Sequence, residues 1–212
     1  MLYRIAWFLA QIYTRLLFPT VVVSGLKYIN RKGPCILCSN HKTGRDPILL
    51  VTNIWRPVSF MSKEELFRNK LSASFYRRLH MFPVKRGASD LHSLRTSLKV
   101  LEGGGMLGIY PEGTRYPDAE GVQPLHNGAA MIALRSGAPM VPVYLDSAAG
   151  PFKLNRIYAG PPIVVDNREG VVNSRRMKMV TDRLHDAMQA LYLQAKQDRL
   201  LRENRKKSGQ KG

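Results

Sequence analysis

The sequence predicts an α/β fold, with a mostly parallel or mixed central sheet flanked by helices and an amphipathic helical segment at the N-terminus. Short apolar runs bounded by Gly, Pro or Asn alternate with stretches of helical period after residue 30. Such alternation is typical of parallel strands joined by helical crossovers. A chain of 212 residues suits one domain. We divide it into an N-terminal segment, 1–24, and a domain, 25–212, that includes a basic C-terminal helix.

The N-terminal segment is the most apolar part of the chain. Arg4, Gln11 and Arg15 interrupt it, and on a helix they fall within roughly 40° of one another. Pro19 is expected to end this helix. An Arg at the bilayer centre costs about 2.5–3.5 kcal/mol, so we expect a helix that lies in the headgroup region of a membrane and does not span it.

Two other interpretations of this segment remain at this point. Its apolar face could pack on the protein's own core. A signal peptide fits poorly, because Gln11 cuts the apolar stretch and no convincing cleavage site follows.

The remaining elements follow in order. The apolar runs predict strands at 35–39, 58–61, 81–84, 106–110 and 140–145, and one or two more within 157–165. The stretches of helical period predict helices at 47–55, 63–79, 89–102, 128–136 and 175–202. The glycines at 103–105 are a clear stop for the third of these helices.

The net charge of the chain indicates which kinds of molecule the protein could bind. There are 33 Lys and Arg against 15 Asp and Glu, a net charge of +18. Such a balance predicts an anionic partner, which is a nucleic acid, an anionic membrane surface, or an acidic protein or substrate. The basic residues after 199 are equally typical of a solvated helix face.

Some residues match familiar motifs, but their surroundings in the sequence do not fit the function of those motifs. Gly103, Gly105 and Gly108 match a dinucleotide-binding pattern, but they follow a helix and precede a strand, which is the wrong order. No phosphate-binding P-loop and no GxSxG hydrolase motif occurs. Cys35 and Cys38 lie in an apolar strand without a second pair, so we expect buried cysteines in a reducing compartment and no metal site.

A histidine and an aspartate follow the first predicted strand of the domain. His41 leaves the end of the strand, and Asp46 stands just before Pro47. Asp46 could simply cap the next helix, and His41 could be a loop histidine. A tight loop containing Gly44 would instead fold Asp46 onto His41, and the carboxylate would then leave the second ring nitrogen free as a base. No Ser or Cys nucleophile belongs to this pair, so the group it activates would come from the substrate.

Two more strands are followed by cations. Arg86 comes after the strand at 81–84, and Arg115 comes after the strand at 106–110. Their guanidinium groups could converge on a phosphate. Gly87 and Gly113 would let a backbone approach closely. Glu112 would orient an Arg or a substrate hydroxyl, or form a surface salt bridge.

These segments carry a resemblance to a known family. His41 and Asp46 with four residues between them, the segment 82–87, the EGTR sequence at 112–115 and the VPV sequence at 141–143 occur in the order and spacing of the four blocks of glycerolipid acyltransferases. The chain resembles the bacterial 1-acylglycerol-3-phosphate acyltransferases over roughly residues 25–165. HxxxxD alone is weak, but joined to EGTR at this distance it is specific.

The resemblance implies transfer of a fatty acyl group from a thioester to the sn-2 hydroxyl of a lysophospholipid, which forms phosphatidic acid. His41 would be the base and Asp46 would orient it. The glycerol phosphate end would be held by two segments: Lys85, Arg86, Gly87, Glu112, Gly113, Thr114 and Arg115. Neither a metal nor another cofactor is implied.

The resemblance also implies partners and a location. The acyl donor would be an acyl carrier protein or coenzyme A thioester, and the basic surface suits either. The enzyme would sit on the cytoplasmic face of the cell membrane, as a peripheral or monotopic protein, and would bind no nucleic acid.

The sequence departs from the family pattern at three places. Tyr116 follows EGTR where Ser is frequent, the Phe-Lys-Lys-Gly run appears as LHNG at 125–128, and His80 stands where Gly often begins the second block. These departures leave the catalytic pair intact and bear on the acceptor and on the phosphate contacts.

Three competing hypotheses remain. The same chemistry could act on glycerol 3-phosphate or another lysophospholipid. A nucleic-acid-binding module would explain the charge but neither the His41 and Asp46 pair nor the EGTR sequence. A catalytically silent lipid-binding protein conflicts with the intact pair.

Overall fold

The computed structural model describes residues 2–84, 90–148, 150–166 and 172–209. Seven strands lie within these ranges: β1 Thr20–Ser24, β2 Cys35–Ser39, β3 Val58–Lys63, β4 Met81–Val84, β5 Met106–Ile109, β6 Met140–Asp146 and β7 Asn155–Ala159. Seven α-helices lie within them: α1 Leu2–Leu17, α2 Leu26–Ile29, α3 Asp46–Val51, α4 Lys70–Arg78, α5 Leu91–Glu102, α6 Gly128–Ser136 and α7 Ser174–Gly209.

The strands form one mixed sheet, in the order β1-β7-β6-β2-β5-β3-β4. The five strands from β6 to β4 run parallel, whereas β7 is antiparallel to β6 and parallel to β1. The central strand β2 is hydrogen-bonded to β5 on one side and to β6 on the other. Because ligands of such sheets gather at the carboxyl ends of the strands, the end of β2 is the expected place for a site.

Both faces of the sheet are covered. Successive residues of β2 alternate between the two cores: Ile36 packs with residues of α5, α6 and α7, while Leu37 packs with Leu49 and Leu50 of α3. All five residues of β2 are buried. Such burial on both faces explains why the strand reads as a continuous apolar run instead of an alternating one.

The predicted α/β class and mixed sheet are confirmed, and so are the five strands that the apolar runs predicted. Within 157–165, β7 begins at Asn155 and Ile163 adds an isolated bridge to Met140. Cys35 and Cys38 are fully buried, and burial raises the pKa of the Cys35 thiol to about 11 and raises the pKa of Cys38.

Two of the predicted helices were wrong in part, and two elements were missed. The helix predicted at 63–79 is a 3₁₀ turn at Glu64–Phe67 and then α4, because the Asn69 side chain caps a new helix at the Leu71 amide. The helix predicted at 47–55 ends at Val51. Neither β1 nor α2 was predicted. Strand β1 falls within the N-terminal segment 1–24 and is paired with β7 in the main sheet.

The orientation of α1 differs from the simplest expectation. Its inward side hydrogen-bonds to α3, since the Trp7 indole donates to the Val51 carbonyl at 3.0 Å and the Gln11 amide donates to the Thr52 carbonyl. The large apolar side chains of α1 that point outward are exposed: Ile5, Phe8, Leu9, Ile12, Tyr13 and Leu16. The alternative in which this apolar face packs on the protein's own core is therefore wrong.

Candidate active site

His41 and Asp46 meet at the carboxyl end of β2. The Nδ1 atom of His41 lies 2.9 Å from Oδ2 of Asp46, and the two side chains are buried. The short loop between them folds back on itself because its backbone turns at residues 43–46, where the Asp46 amide donates to the Thr43 carbonyl. The sequence predicted this contact.

The Asp46 carboxylate is held by the loop that precedes it. The backbone amides of Lys42 and Thr43 each donate to Oδ2 at 2.7 Å, and the Thr43 hydroxyl donates to Oδ1 at 2.7 Å. A buried carboxylate needs such donors to stay charged. Asp46 therefore does not cap the helix that it begins, and this alternative interpretation is wrong.

The hydrogen bonds define the state of the imidazole. A carboxylate can only accept, so His41 carries its proton on Nδ1 and presents a lone pair at Nε2. The Arg115 Nε–H donates to that lone pair at 3.3 Å. The guanidinium group lies against Gly44, where an added Cβ would come within 3.4 Å of Nη2. Arg115 therefore contacts the ring nitrogen that faces away from Asp46.

Tyr110 supports the imidazole from one side. Its ring stacks on His41 with centroids 4.1 Å apart and an 18° angle between planes, and Phe60 stacks behind it at 5.8 Å. Burial raises the pKa of Tyr110 well above its usual value, Asp46 raises it further, and Arg115 opposes this. Tyr110 is therefore neutral near pH 7. The sequence analysis did not single it out, although β5 pairs with β2 and places it there.

Glu112 supports the backbone of the site. Its Oε2 accepts from the His41 amide at 2.9 Å and its Oε1 accepts from the Gln123 amide at 3.1 Å. Only 3% of the residue is exposed, and burial raises the pKa of this carboxyl although both amides lower it. The expected contact with an Arg or a surface salt bridge is therefore replaced by two backbone amides. A contact of Glu112 with a substrate stays a prediction.

Asn40 is a further residue that the sequence analysis missed. Its side-chain amide exchanges two hydrogen bonds with the backbone of Leu145, at 3.1 and 2.7 Å. This pair holds the end of β6 beside the residue that precedes His41. Asn40 is buried, so its polar atoms would need these partners in any case.

The EGTR turn is built on a glycine. Gly113 has a φ of 72°, in the left-handed region, and a Cβ added there would come within 2.7 Å of the His126 ring. The ring of His126, not a ligand, occupies this space. Thr114 and Arg115 follow at the surface, both exposed.

Three predicted substrate-binding residues, Lys85, Arg86 and Gly87, lie outside the described residues. Their convergence with Arg115 stays a prediction. His80, where the family often has Gly, has a φ of 60° and packs edge-on against Tyr3 with ring centroids 4.9 Å apart. A left-handed backbone explains why glycine suits this position.

Comparisons with known proteins agree with the resemblance. Residues 20–146 match the model of the acyltransferase family. The chain is 34% identical over 139 residues to the 1-acyl-sn-glycerol-3-phosphate acyltransferase of Bacillus subtilis (strain 168), a match that covers 63% of this chain and 68% of that protein. It is also 26% identical over 140 residues to the Borreliella burgdorferi protein of the same name, and that match covers 65% of this chain and 56% of that protein.

A solved structure has the same fold. The 1-acyl-sn-glycerophosphate (LPA) acyltransferase PlsC from Thermotoga maritima superposes with a TM-score of 0.64 at 20% identity, over 89% of this chain and 79% of that one. At this identity the likeness concerns the fold. The match of the family model to residues 20–146 and the 34% identity to the Bacillus protein decide the family. The chain belongs to the acyltransferase family.

Proposed function

We propose that this acyltransferase moves a fatty acyl group from a thioester to the sn-2 hydroxyl of 1-acylglycerol 3-phosphate, which yields phosphatidic acid for phospholipid synthesis. The observation that carries the proposal is the buried His41–Asp46 contact of 2.9 Å beside Arg115. The names of the relatives support the choice of acceptor.

The steps follow from the state of the imidazole. Nε2 of His41 takes the proton of the acceptor hydroxyl while the hydroxyl oxygen attacks the thioester carbonyl carbon. Asp46 stabilises the imidazolium that forms, because its carboxylate accepts from Nδ1. The carbon–sulfur bond then breaks, and the sulfur leaves with the proton as a thiol. No acyl group is attached to the protein, and no metal or cofactor takes part in this scheme.

Arg115 has two positions in this scheme. It donates to Nε2 before the acceptor binds, and it must leave that atom when the hydroxyl arrives. The acceptor phosphate is the natural new partner, since a guanidinium fork binds a phosphate through two hydrogen bonds. Holding the hydroxyl and thioester in line supplies much of the remaining acceleration.

Replacing Arg115 by alanine is expected to raise the KM for 1-acylglycerol 3-phosphate by about 10–100-fold, because one charge-assisted contact of about 1.5–3 kcal/mol is lost. Arg115→Lys should recover part of this loss, since it restores the charge without the fork. The assay supplies acyl-CoA and measures diacyl product and free thiol. Arg95→Ala, an exposed arginine on α5, is the matched control. An unchanged KM in Arg115→Ala contradicts the assigned contact.

The same assay separates the acceptors. Glycerol 3-phosphate and 1-acylglycerol 3-phosphate are offered to the wild type with the same thioester. Preference for the acylated acceptor supports the proposal, whereas preference for glycerol 3-phosphate supports the alternative. Absence of transfer to any glycerol derivative contradicts both.

We also propose that α1 holds the enzyme on the cytoplasmic face of the cell membrane. In the described part of the chain, no helix is long and apolar enough to cross a bilayer. Of the outward apolar side chains of α1, Ile5 and Phe8 line a groove together with Arg4 and with Trp55, which is 88% exposed. Apolar side chains with aromatic and Arg neighbours suit the interface of an anionic membrane.

Replacing Phe8 and Leu16 together by glutamine is expected to weaken vesicle binding at least about tenfold, because two exposed apolar side chains no longer enter the acyl region. The measurement is co-sedimentation with vesicles of equal parts phosphatidylcholine and phosphatidylglycerol. Leu193→Gln, an exposed leucine on α7, is the control. Unchanged binding of the double variant contradicts the proposed contact.

Point substitutions are the better test because deletion of residues 1–24 removes more than a membrane contact. Strand β1 pairs with β7, and α1 hydrogen-bonds to α3. A truncated chain would expose both surfaces, and its loss of activity would have several causes.

A further inference from the structure

A cationic cleft lies beside the loop of His41 and Asp46. Its volume is about 400 Å³, and it is lined by side chains from the loop after β2, the ends of β6 and β7, and α7. The charged residues around it are Lys42, Asp146, Arg156, Arg199, Arg202 and Glu203. The functional residues that the sequence analysis predicted are all outside it.

The cleft has an excess of positive charge. Arg199 and Asp146 form an ion pair at 2.6 Å and neutralise each other. Lys42, Arg156 and Arg202 then share the cleft with one further carboxylate in its lining, that of Glu203, which is exposed. Asp198 lies near Arg202, beside Tyr158. Within the described ranges, no carboxylate lies within ion-pair distance of Lys42 or Arg156. Half-buried cations without a carboxylate partner favour an anionic ligand.

The cleft and Arg115 lie on opposite sides of His41. Arg115 follows β5, which pairs with one edge of β2, while Asp146 ends β6, which pairs with the other edge. The Asn40–Leu145 hydrogen bonds bring the end of β6 next to the loop of His41 and Lys42. One anionic group can therefore bind on each side of the His41 imidazole, one at Arg115 and one in the cleft.

We propose that this cleft binds the phosphate of the acyl donor. The inference rests on the proposed function, in which the acceptor phosphate takes Arg115. A pantetheine thioester carries its phosphate at the far end of a long flexible arm, so the reacting carbonyl can lie near Nε2 while the phosphate binds elsewhere. The donor phosphate then needs cations of its own, and the cleft supplies them beside Lys42.

A membrane headgroup is the less suitable occupant. Arg199 and Arg202 belong to α7, whose buried residues pack on the sheet face opposite to the one that α3 and Phe18 cover. The outward apolar residues of α1 belong to the α3 side. The loop that carries Leu154 does reach the end of α1, since the Phe152 amide donates to the Leu17 carbonyl. A headgroup in the cleft would act alike on the use of every donor, and the comparison of donors detects this.

The test compares a phosphorylated donor with a phosphate-free one. Acyl-CoA and the N-acetylcysteamine thioester of the same acid are supplied to the wild type and to Arg156→Gln. The KM for acyl-CoA is expected to rise about tenfold in the variant, as for the loss of one contact to a charged group, while the KM for the phosphate-free thioester stays the same. Arg183→Gln, an exposed arginine on the same helix α7 as Arg202, is the control.

Each outcome bears on one proposal. An equal rise for both thioesters, or none for either, overturns the phosphate assignment. An effect with acyl carrier protein but not with acyl-CoA also overturns it, in favour of a docking surface for an acidic protein. A wild type that transfers no acyl group from any donor contradicts the proposed function itself. Normal turnover of the phosphate-free thioester by Arg156→Gln shows that the variant is folded.

Discussion

Replacing His41 by alanine is expected to lower kcat for acyl transfer by about 10²–10⁴-fold, because the reaction loses its positioned base. The membrane contact proposed for α1 does not involve this ring, so vesicle binding should be unchanged. The KM for the acceptor should change little. The measurement is the steady-state rate of thiol release with saturating 1-acylglycerol 3-phosphate.

The control separates the loss of a base from the loss of a fold. His92→Ala removes an exposed imidazole on α5 and should keep the wild-type rate. The His41 variant also leaves a space beneath Tyr110, so its thermal unfolding must be compared with that of the wild type. A folded His41→Ala enzyme with wild-type turnover would falsify the mechanism, and substrate or water would then have to supply the base.

The contact between His41 and Asp46 could be predicted from the sequence because the evidence is local. Four residues separate His41 from Asp46, and a strand before them with a Pro after them leaves few conformations for the loop. The partners of Glu112 could not be predicted in this way. Its contacts with the amides of His41 and Gln123 depend on the register between β2 and β5 and on a long loop, which no local pattern specifies.

Some elements of the fold could likewise be predicted from the sequence, and others could not. The buried strands were predictable because continuous apolar runs between breakers have one common explanation in α/β proteins. Strand β1 was missed because it follows directly on the apolar stretch of α1, so that hydrophobicity alone did not separate them. The sequence also did not indicate which side of α1 contacts the rest of the protein, since the polar Gln11 side chain donates to the Thr52 carbonyl and does not point to solvent. A polar residue on a helix indicates solvent only when no backbone partner lies beneath it.

Replacing Asp46 by asparagine is expected to lower kcat by a similar factor, about 10²–10⁴-fold, and to cost about 2–3 kcal/mol of stability. The carboxylate accepts from the Lys42 amide, the Thr43 amide and hydroxyl, and Nδ1 of His41. An asparagine is neutral and has one acceptor oxygen. With that oxygen in the place of Oδ1, its NH₂ group faces the two amides and Nδ1, which are donors; with the oxygen in the place of Oδ2, the NH₂ group donates to the Thr43 hydroxyl, but the charge that stabilises an imidazolium is still lost.

The tautomer of His41 distinguishes catalysis from stability in this variant. If the asparagine NH₂ faces Nδ1, the ring must accept there and move its proton to Nε2, which removes the base. Nitrogen chemical shifts of the His41 ring should show the Nδ1–H form in the wild type, and the Nε2–H form in a variant whose asparagine NH₂ faces Nδ1. Asp118→Asn, an exposed carboxylate, should change neither the rate nor the free energy of unfolding in urea. A folded Asp46→Asn enzyme that keeps the Nδ1–H form and a rate within tenfold of the wild type contradicts the role given to this carboxylate, because the orientation of the ring would then come from its other contacts, with Tyr110 and Arg115.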